Sequence, residues 1–118
     1  MIRKKEDCRI EERFEMRGGS GTVRIAHMFE TGKEIRSRNR LCARLILEPG
    51  CSIGSHRHED EEELFVIMRG RAEIDDNGKI SQVSSGDAVL TGGGESHAIR
   101  NIGDETLEVV AVISKFPE

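Results

Sequence analysis

The sequence predicts an all-β fold, a sandwich or barrel of short antiparallel strands. Its 118 residues contain 13 glycines and two prolines, which divide the chain into short apolar segments separated by turn signals. Within these segments apolar and polar residues alternate, and no helical period is evident. Short strands at regular spacing are typical of β-sandwiches and β-barrels.

The predicted strands follow one another from residue 22 to residue 113. In chain order they are 22–29, 41–47, 63–68, 71–74, 80–83, 87–90, 97–102 and 107–113. The sequence Asp75-Asp76-Asn77-Gly78 predicts a tight hairpin, because Asn-Gly favours positive φ angles. The polar residues 30–40 predict an exposed connection.

The first twenty residues differ from the rest and are predicted to be a separate helical or extended segment before a domain at 21–118. Within it, residues 6–17 predict a short helix. Ile10 and Phe14 lie four residues apart, and Gly18-Gly19 follows as a stop signal.

Charge and composition exclude several classes of protein. The net charge of −4 argues against general binding of nucleic acid or of an anionic membrane. No apolar run approaches the roughly 20 residues that span a bilayer, and the first ten residues lack the apolar stretch of a signal peptide. We therefore expect a cytoplasmic protein. Cys8, Cys42 and Cys51 form no CxxC pair and are expected to be reduced thiols.

A core this small, with only four Phe and no Trp or Tyr, is marginal for an isolated domain. Association of two copies would bury more apolar surface. We therefore expect a homodimer.

Three histidines and an acidic run carry the chemistry of the sequence. His56 and His58 are two residues apart, so on a strand both imidazoles lie on one face. With a carboxylate nearby they make a divalent-metal site. Alternation does not choose between Glu62 and Glu63, because both faces of that strand are apolar. His97 ends a glycine-rich turn, which allows the sharp backbone path that would bring in a third imidazole.

The spacing of these residues resembles two motifs of the cupin family. The first is Gly50-x5-His56-x-His58-x4-Glu63-x6-Gly70, and the second is Gly86-x5-Gly92-x-Gly94-x2-His97-x3-Asn101. The chain is similar to small single-domain cupins related to oxalate decarboxylase and mannose-6-phosphate isomerase. Gly92 stands where the second motif usually has proline, and we expect this to loosen the approach to His97.

The resemblance implies a double-stranded β-helix (a jelly-roll barrel), commonly a dimer, with residues 21–118 as the cupin domain. Carried over position by position, it makes His56, His58, Glu63 and His97 the metal ligands. Phe65 and Ile67 share a face with Glu63 and are expected to line the cavity beside the metal. Arg44 would reach an anionic ligand there if its side of the strand faced inward.

This ligand set predicts one divalent ion, Mn, Fe, Ni or Zn, with open positions for a small oxygen-rich anion. The anion would be a carboxylate, an oxo acid or a sugar derivative. Two hypotheses remain: a metal-dependent decarboxylase, dioxygenase or isomerase, and a non-catalytic binding module. The sequence offers no unambiguous general acid or base, which slightly favours the binding module.

Overall fold

The computed structural model describes all 118 residues and consists of ten strands in two antiparallel sheets. The strands are β1 Arg9–Phe14, β2 Thr22–His27, β3 Asn39–Leu47, β4 Ser52–Arg57, β5 Glu61–Arg69, β6 Arg71–Asp76, β7 Lys79–Ser84, β8 Ala88–Gly92, β9 Ser96–Asn101 and β10 Leu107–Lys115. The six-stranded sheet has the order β1-β2-β3-β10-β5-β8, and the four-stranded sheet has the order β4-β9-β6-β7. The predicted all-β jelly-roll fold is therefore confirmed.

The hydrophobic core lies between the inner faces of the two sheets. Strand β10 shows the pattern most clearly, since Leu107, Val109 and Ala111 are buried while the residues between them are partly exposed. The four-stranded sheet contributes Ile74 and Ile99 to the same cluster. Alternation along each strand thus separates the core from the outer surface.

The eight predicted strands are all present, and most of them extend by one to three residues beyond the predicted bounds. Strand β4 was not among the predicted segments, although the argument that His56 and His58 share a face assumes a strand there. Its sequence Ser-Ile-Gly-Ser carries only one large apolar residue, so a pattern of apolar alternation cannot find it.

The predicted N-terminal helix is wrong. Residues 9–14 form strand β1, which pairs with β2 along its whole length, from Arg9 opposite His27 to Phe14 opposite Thr22. Residues four apart share a face in a strand as well as in a helix, so the separation of Ile10 and Phe14 fits both. Both side chains are exposed to solvent. Only two short 3₁₀ turns, Lys5–Asp7 and Met16–Gly18, flank the strand.

The predicted hairpin at residues 75–78 is confirmed. Asn77 and Gly78 both have positive φ angles, 50° and 94°, as a two-residue hairpin loop requires. The Gly78 amide also donates a hydrogen bond to the Asp75 carboxylate at 2.8 Å. This turn joins β6 to β7 in the four-stranded sheet.

Two further observations concern the cysteines and the helices of the structure. The three cysteines are free thiols. Among the elements of the fold there is no helix with the length and apolarity that crossing a membrane would demand.

Candidate metal centre

The four residues expected to bind metal come together between the two sheets. His56 lies in β4 opposite His97 in β9, and Glu63 projects inward from β5. His58 follows the last residue of β4. One ligand atom from each residue lies within 4.8 Å of the others. His58, Glu63 and His97 are buried and His56 is half-buried, so the cluster is largely shielded from water.

The spacing of these atoms fits a single ion. His97 Nε2 lies 3.0 Å from His58 Nε2 and 3.2 Å from His56 Nε2. Glu63 Oε1 lies 2.9 Å from His58 Nε2 and 3.0 Å from His97 Nε2. Two ligand atoms bonded to one ion at about 2.1 Å and at right angles are about 3 Å apart. These four separations therefore match those of neighbouring ligand atoms on one divalent ion.

Each imidazole is held from outside through its other ring nitrogen. The contacts are His56 Nδ1 to the Gly54 carbonyl at 2.9 Å, His58 Nδ1 to Glu61 Oε2 at 2.6 Å, and His97 Nδ1 to Thr91 Oγ1 at 3.1 Å. Carbonyl and carboxylate oxygens only accept, so His56 and His58 carry a hydrogen on Nδ1. This arrangement directs the Nε2 atoms inward, as in metal sites where an outer acceptor orients each histidine.

Burial and hydrogen bonds within the cluster shift the pKa values of three of its members. The hydrogen bond to Glu63 raises the pKa of His58, and Glu61 adds to this effect. Burial lowers the pKa of His56. For Glu63, burial acts to raise the pKa, but hydrogen bonds from His58 and His97 outweigh it and leave the pKa below its usual value. One proton satisfies few of these converging atoms, whereas a divalent cation satisfies all four.

Glu61 and Arg40 extend the site outward and were missed in the sequence. Arg40 donates two hydrogen bonds to the Glu61 carboxylate, at 2.9 and 2.8 Å. These bonds, with the one from His58, lower the pKa of Glu61 to about 2. In the sequence Glu61 is one member of the acidic run, and Arg40 belongs to the predicted exposed connection. The available signal was that Glu61 lies two residues before Glu63 and so shares its face of the strand.

A cavity of about 70 Å³ opens beside His56, His58 and Glu63. One water molecule needs roughly 10–15 Å³ on this measure, so the cavity admits a molecule of a few heavy atoms. Apolar side chains from both sheets form much of its wall. The polar residues of the wall other than the metal-centre side chains are Glu11, Arg13, Arg17, His27 and Arg40.

The three expected lining residues occupy different places. Phe65 lines the cavity and stacks on His97, with ring centroids 4.7 Å apart. Ile67 is two residues further along β5, in the hydrophobic core, and does not form part of the cavity wall. Arg44 faces the opposite side of β3 and donates to Glu108 at 3.2 Å. The buried residues of β3 include Ala43 and Leu45, so Arg44 between them points outward.

The N-terminal strands form the wall that the sequence did not predict. His27 lies outside both cupin motifs. In the structure it lines the cavity and is hydrogen bonded to Glu11 of β1 at 2.9 Å. Residues 9–14 were predicted to be helical, so no pattern in the sequence placed Glu11 beside the metal centre.

Two comparisons of sequence agree with this description. The model of the cupin domain family matches residues 43–113. The oxalate-binding protein of Thermotoga maritima is 40% identical over 113 residues, which cover 96% of this chain and 93% of that protein.

The solved structures give the same fold. A crystal structure of a predicted oxalate decarboxylase from T. maritima has a TM-score of 0.93 and 39% identity, and the match covers 98% of this chain and 100% of that one. KdgF from a Halomonas species has a TM-score of 0.75 at 12% identity, covering 98% and 95%, and supports the fold alone. With the family match over residues 43–113 and the 40% identity over nearly all its length, the chain belongs to the cupin family.

Proposed function

We propose that the protein holds one divalent metal ion on His56, His58, Glu63 and His97 and uses it to bind a small dicarboxylate of the oxalate type. The observation that carries this proposal is the convergence of three imidazole nitrogens and one carboxylate oxygen beside a cavity. A nitrogen and oxygen ligand set without thiolate suits Mn, Fe, Co, Ni or Zn. The bound ion would act as a Lewis acid toward a chelating carboxylate.

The cavity favours a small anion over a sugar. Its volume of about 70 Å³ suits a two-carbon or three-carbon acid. Three arginines line it: Arg13 is paired with Glu11, Arg40 is paired with Glu61, and Arg17 has no acidic partner. Arg17 therefore contributes a positive charge without a paired carboxylate, and positive charge lining a cavity attracts anions. The T. maritima relative is named for binding oxalate, which supports the same class of ligand.

The proposal has two forms. In the first the protein binds oxalate without turnover, and in the second it decarboxylates oxalate. The likeness to a structure described as a predicted oxalate decarboxylase supports the second form. In that reaction the C–C bond of oxalate breaks and a proton is added to one carbon, so that oxalate and one proton give carbon dioxide and formate. Dioxygenase and isomerase activity have less support, because oxalate has no carbon left to oxidise without cleavage and no isomer to form.

Calorimetric titration of oxalate into metal-free and Mn²⁺-loaded protein tests the proposal. We expect saturable binding at one site per chain in the loaded protein only, and loss of this binding in His58→Ala. Equal binding with and without metal, or none in the loaded protein, would overturn it. Formate assayed in the same samples separates the two forms: release of formate with turnover makes the protein a decarboxylase, and stoichiometric binding without formate makes it a binding module.

We also propose a homodimer, and a cytoplasmic location. The outer face of the six-stranded sheet exposes Leu64, Met68 and Leu90, with 38%, 54% and 59% of each residue accessible. Residues 64 and 90 lie opposite each other on β5 and β8, so these side chains form one apolar patch. Light scattering should give twice the chain mass of 13.2 kDa, and Leu90→Lys should shift it toward the monomer. A monomer in the unmodified protein would contradict the dimer.

A further inference from the structure

We infer that His27, held by Glu11, hydrogen bonds to the oxygen of the ligand that faces away from the metal centre, and so makes the site selective for chelating carboxylates. This inference rests on the proposed function and adds to it a residue from outside the two cupin motifs. It concerns recognition of the ligand, not retention of the metal.

The position of His27 supports this role. Its imidazole is 13% exposed and lines the same cavity as His56, His58 and Glu63. Nothing in the sequence motif requires a histidine there, and the structure gives it no contact with the four metal-centre residues. A ligand bound on the ion would fill the space between the ion and this wall.

The hydrogen bonds of Glu11 define which nitrogen of His27 is available. Glu11 Oε1 contacts His27 Nε2 at 2.9 Å, and Glu11 Oε2 accepts a hydrogen bond from Arg13 Nε at 2.7 Å. These two contacts hold the pKa of Glu11 below its usual value. An ionised carboxylate only accepts, so Nε2 of His27 carries the hydrogen. Nδ1 has no partner in the protein and is the atom left for a ligand.

In the complex with a ligand, His27 would donate from Nε2 to Glu11 on one side and from Nδ1 to a ligand oxygen on the other. The arrangement matches that of His58, which lies between the carboxylates of Glu61 and Glu63. A hydrogen bond between charged partners is shorter and stronger than a neutral one. Such a contact would raise the affinity of the site for a ligand that has an oxyanion on the side facing away from the metal.

The register of the six-stranded sheet places His27 on the inner face, in the same row as Phe65. His27 pairs with Ala43, Ala43 with Ala111, and Ala111 with Phe65, so these four residues form one row across that face. The two alanines are fully buried and are not part of the cavity wall, whereas His27 and Phe65 both line the cavity. Phe65 also stacks on the metal-centre residue His97. His27 and the metal centre therefore border the same cavity from opposite ends of this row.

The test compares oxalate with acetohydroxamate in Zn²⁺-loaded protein. Both ligands chelate through two oxygens, but acetohydroxamate has a methyl group and an N–H where oxalate has two outward-facing oxygens. In His27→Gln we expect oxalate to bind about tenfold more weakly, the value of one hydrogen bond to a charged group. Acetohydroxamate affinity should change less than threefold, and zinc content should stay at one per chain.

Glu11→Gln should give a smaller loss of oxalate affinity, because an amide lacks the negative charge that would stabilise a His27 ring donating from both nitrogens. The matched control is Glu12→Gln, since Glu12 is the exposed neighbour on the other face of β1. It should bind both ligands like the unmodified protein. In spectra of ¹⁵N-histidine-labelled protein, oxalate should move the Nδ1 signal of His27, and acetohydroxamate should leave it in place.

Two results would overturn the inference alone: oxalate affinity unchanged in His27→Gln, or an equal loss for both ligands, which would indicate a structural role. If the unmodified zinc protein binds acetohydroxamate but not oxalate, the inference and the choice of ligand both fail while the metal centre stands. If it retains no zinc, the proposed function itself fails.

Discussion

His58 makes contacts on both sides of its ring, and each contact has a different consequence. On the outer side Glu61 accepts from Nδ1 at 2.6 Å, which fixes the orientation of the imidazole. On the inner side Nε2 lies 2.9 Å from Glu63 Oε1, within the group of atoms proposed to bind the metal. Arg40 holds Glu61 in place with two hydrogen bonds. A chain of three residues therefore connects the surface to the centre and restricts how its histidine can rotate.

The neighbouring acids Glu62 and Glu63 provide a matched pair of substitutions. Glu63 is 4% exposed and points into the centre, whereas Glu62 lies on the other face of β5. We expect Glu63→Gln to lower zinc affinity at least tenfold, because it removes a charged ligand from a buried site. Glu62→Gln should bind zinc like the unmodified protein. Competition with a chromophoric chelator measures both, and equal effects would show that the assignment of the carboxylate ligand is wrong.

Glu61 should make stability depend on pH in the acid range. Its pKa lies at about 2 in the folded protein, below the ordinary 4.5. A lowered pKa adds stability that is fully present above about pH 4.5 and is lost as the pH falls toward 2. The difference between the two pKa values limits the contribution of Glu61 to the free energy of unfolding to about 3 kcal/mol.

Urea denaturation of metal-free protein at several pH values measures this effect. The free energy of unfolding of the unmodified protein should exceed that of Glu61→Gln at pH 5 to 7, and the difference should shrink as the pH falls below 4. Glu59→Gln, in the exposed part of the same acidic run, should show no such difference. A constant difference between the unmodified protein and Glu61→Gln at every pH would contradict the assignment.

At the scale of elements, the sequence predicts correctly those strands that are marked by their own apolar residues. It fails for a strand that forms only because it pairs with another strand. The segments 63–68 and 107–113 are predicted because apolar residues dominate them, and both are central strands of the larger sheet. Strand β1 is held by its pairing with β2 and exposes Ile10 and Phe14. The spacing of these two apolar residues fits a helix, but neither residue is buried, so the spacing does not identify the type of element.

The same distinction applies to the candidate site. His56, His58, Glu63 and His97 could be found from motif spacing, because the two segments that hold them are short and marked by glycines. Glu11 and His27 could not, since they reach the cavity only through the pairing of β1 with β2. Arg44 was an open possibility until the register of β3 turned it outward.

Gly92 links the geometry of β8 to the metal centre. A Cβ atom at this position would lie 2.5 Å from the Glu61 carbonyl and 2.6 Å from Glu62 Cα. The glycine thus permits close approach of β8 to β5, in addition to any effect on the flexibility of the loop before His97. A larger residue would displace the start of β5, which carries Glu61 and Glu63.

We expect Gly92→Ala to lower the free energy of unfolding by about 1–3 kcal/mol, the usual cost of overpacking, and to weaken zinc binding. Gly103→Ala is the control, because a Cβ there meets its nearest neighbour at an ordinary 3.6 Å. Urea denaturation and zinc titration of both variants measure the effects. Normal stability and zinc affinity in Gly92→Ala would show that β5 moves freely at this point.

At the scale of the whole molecule, two sheets enclose a core and leave a small cavity, lined by charged residues, beside the proposed metal centre. The larger sheet supplies Glu63 and the wall with His27, and the smaller sheet supplies His56 and His97. A metal ion bound to residues of both sheets would be lost on unfolding, so it should stabilise the fold as a whole. Belonging to the cupin family accounts for this arrangement, while the N-terminal strands give the cavity its own chemistry.

The metal content of the protein tests the central claim most directly. The protein would be purified without a chelating column, dialysed against divalent ions and then against metal-free buffer, and analysed by elemental mass spectrometry. We predict about one Mn, Fe, Co, Ni or Zn ion per chain in the unmodified protein and in the exposed control Arg57→Ala, and almost none in His58→Ala. A chain that retains no ion after this treatment, or a His58→Ala variant that retains a full equivalent, would contradict the four-residue metal centre.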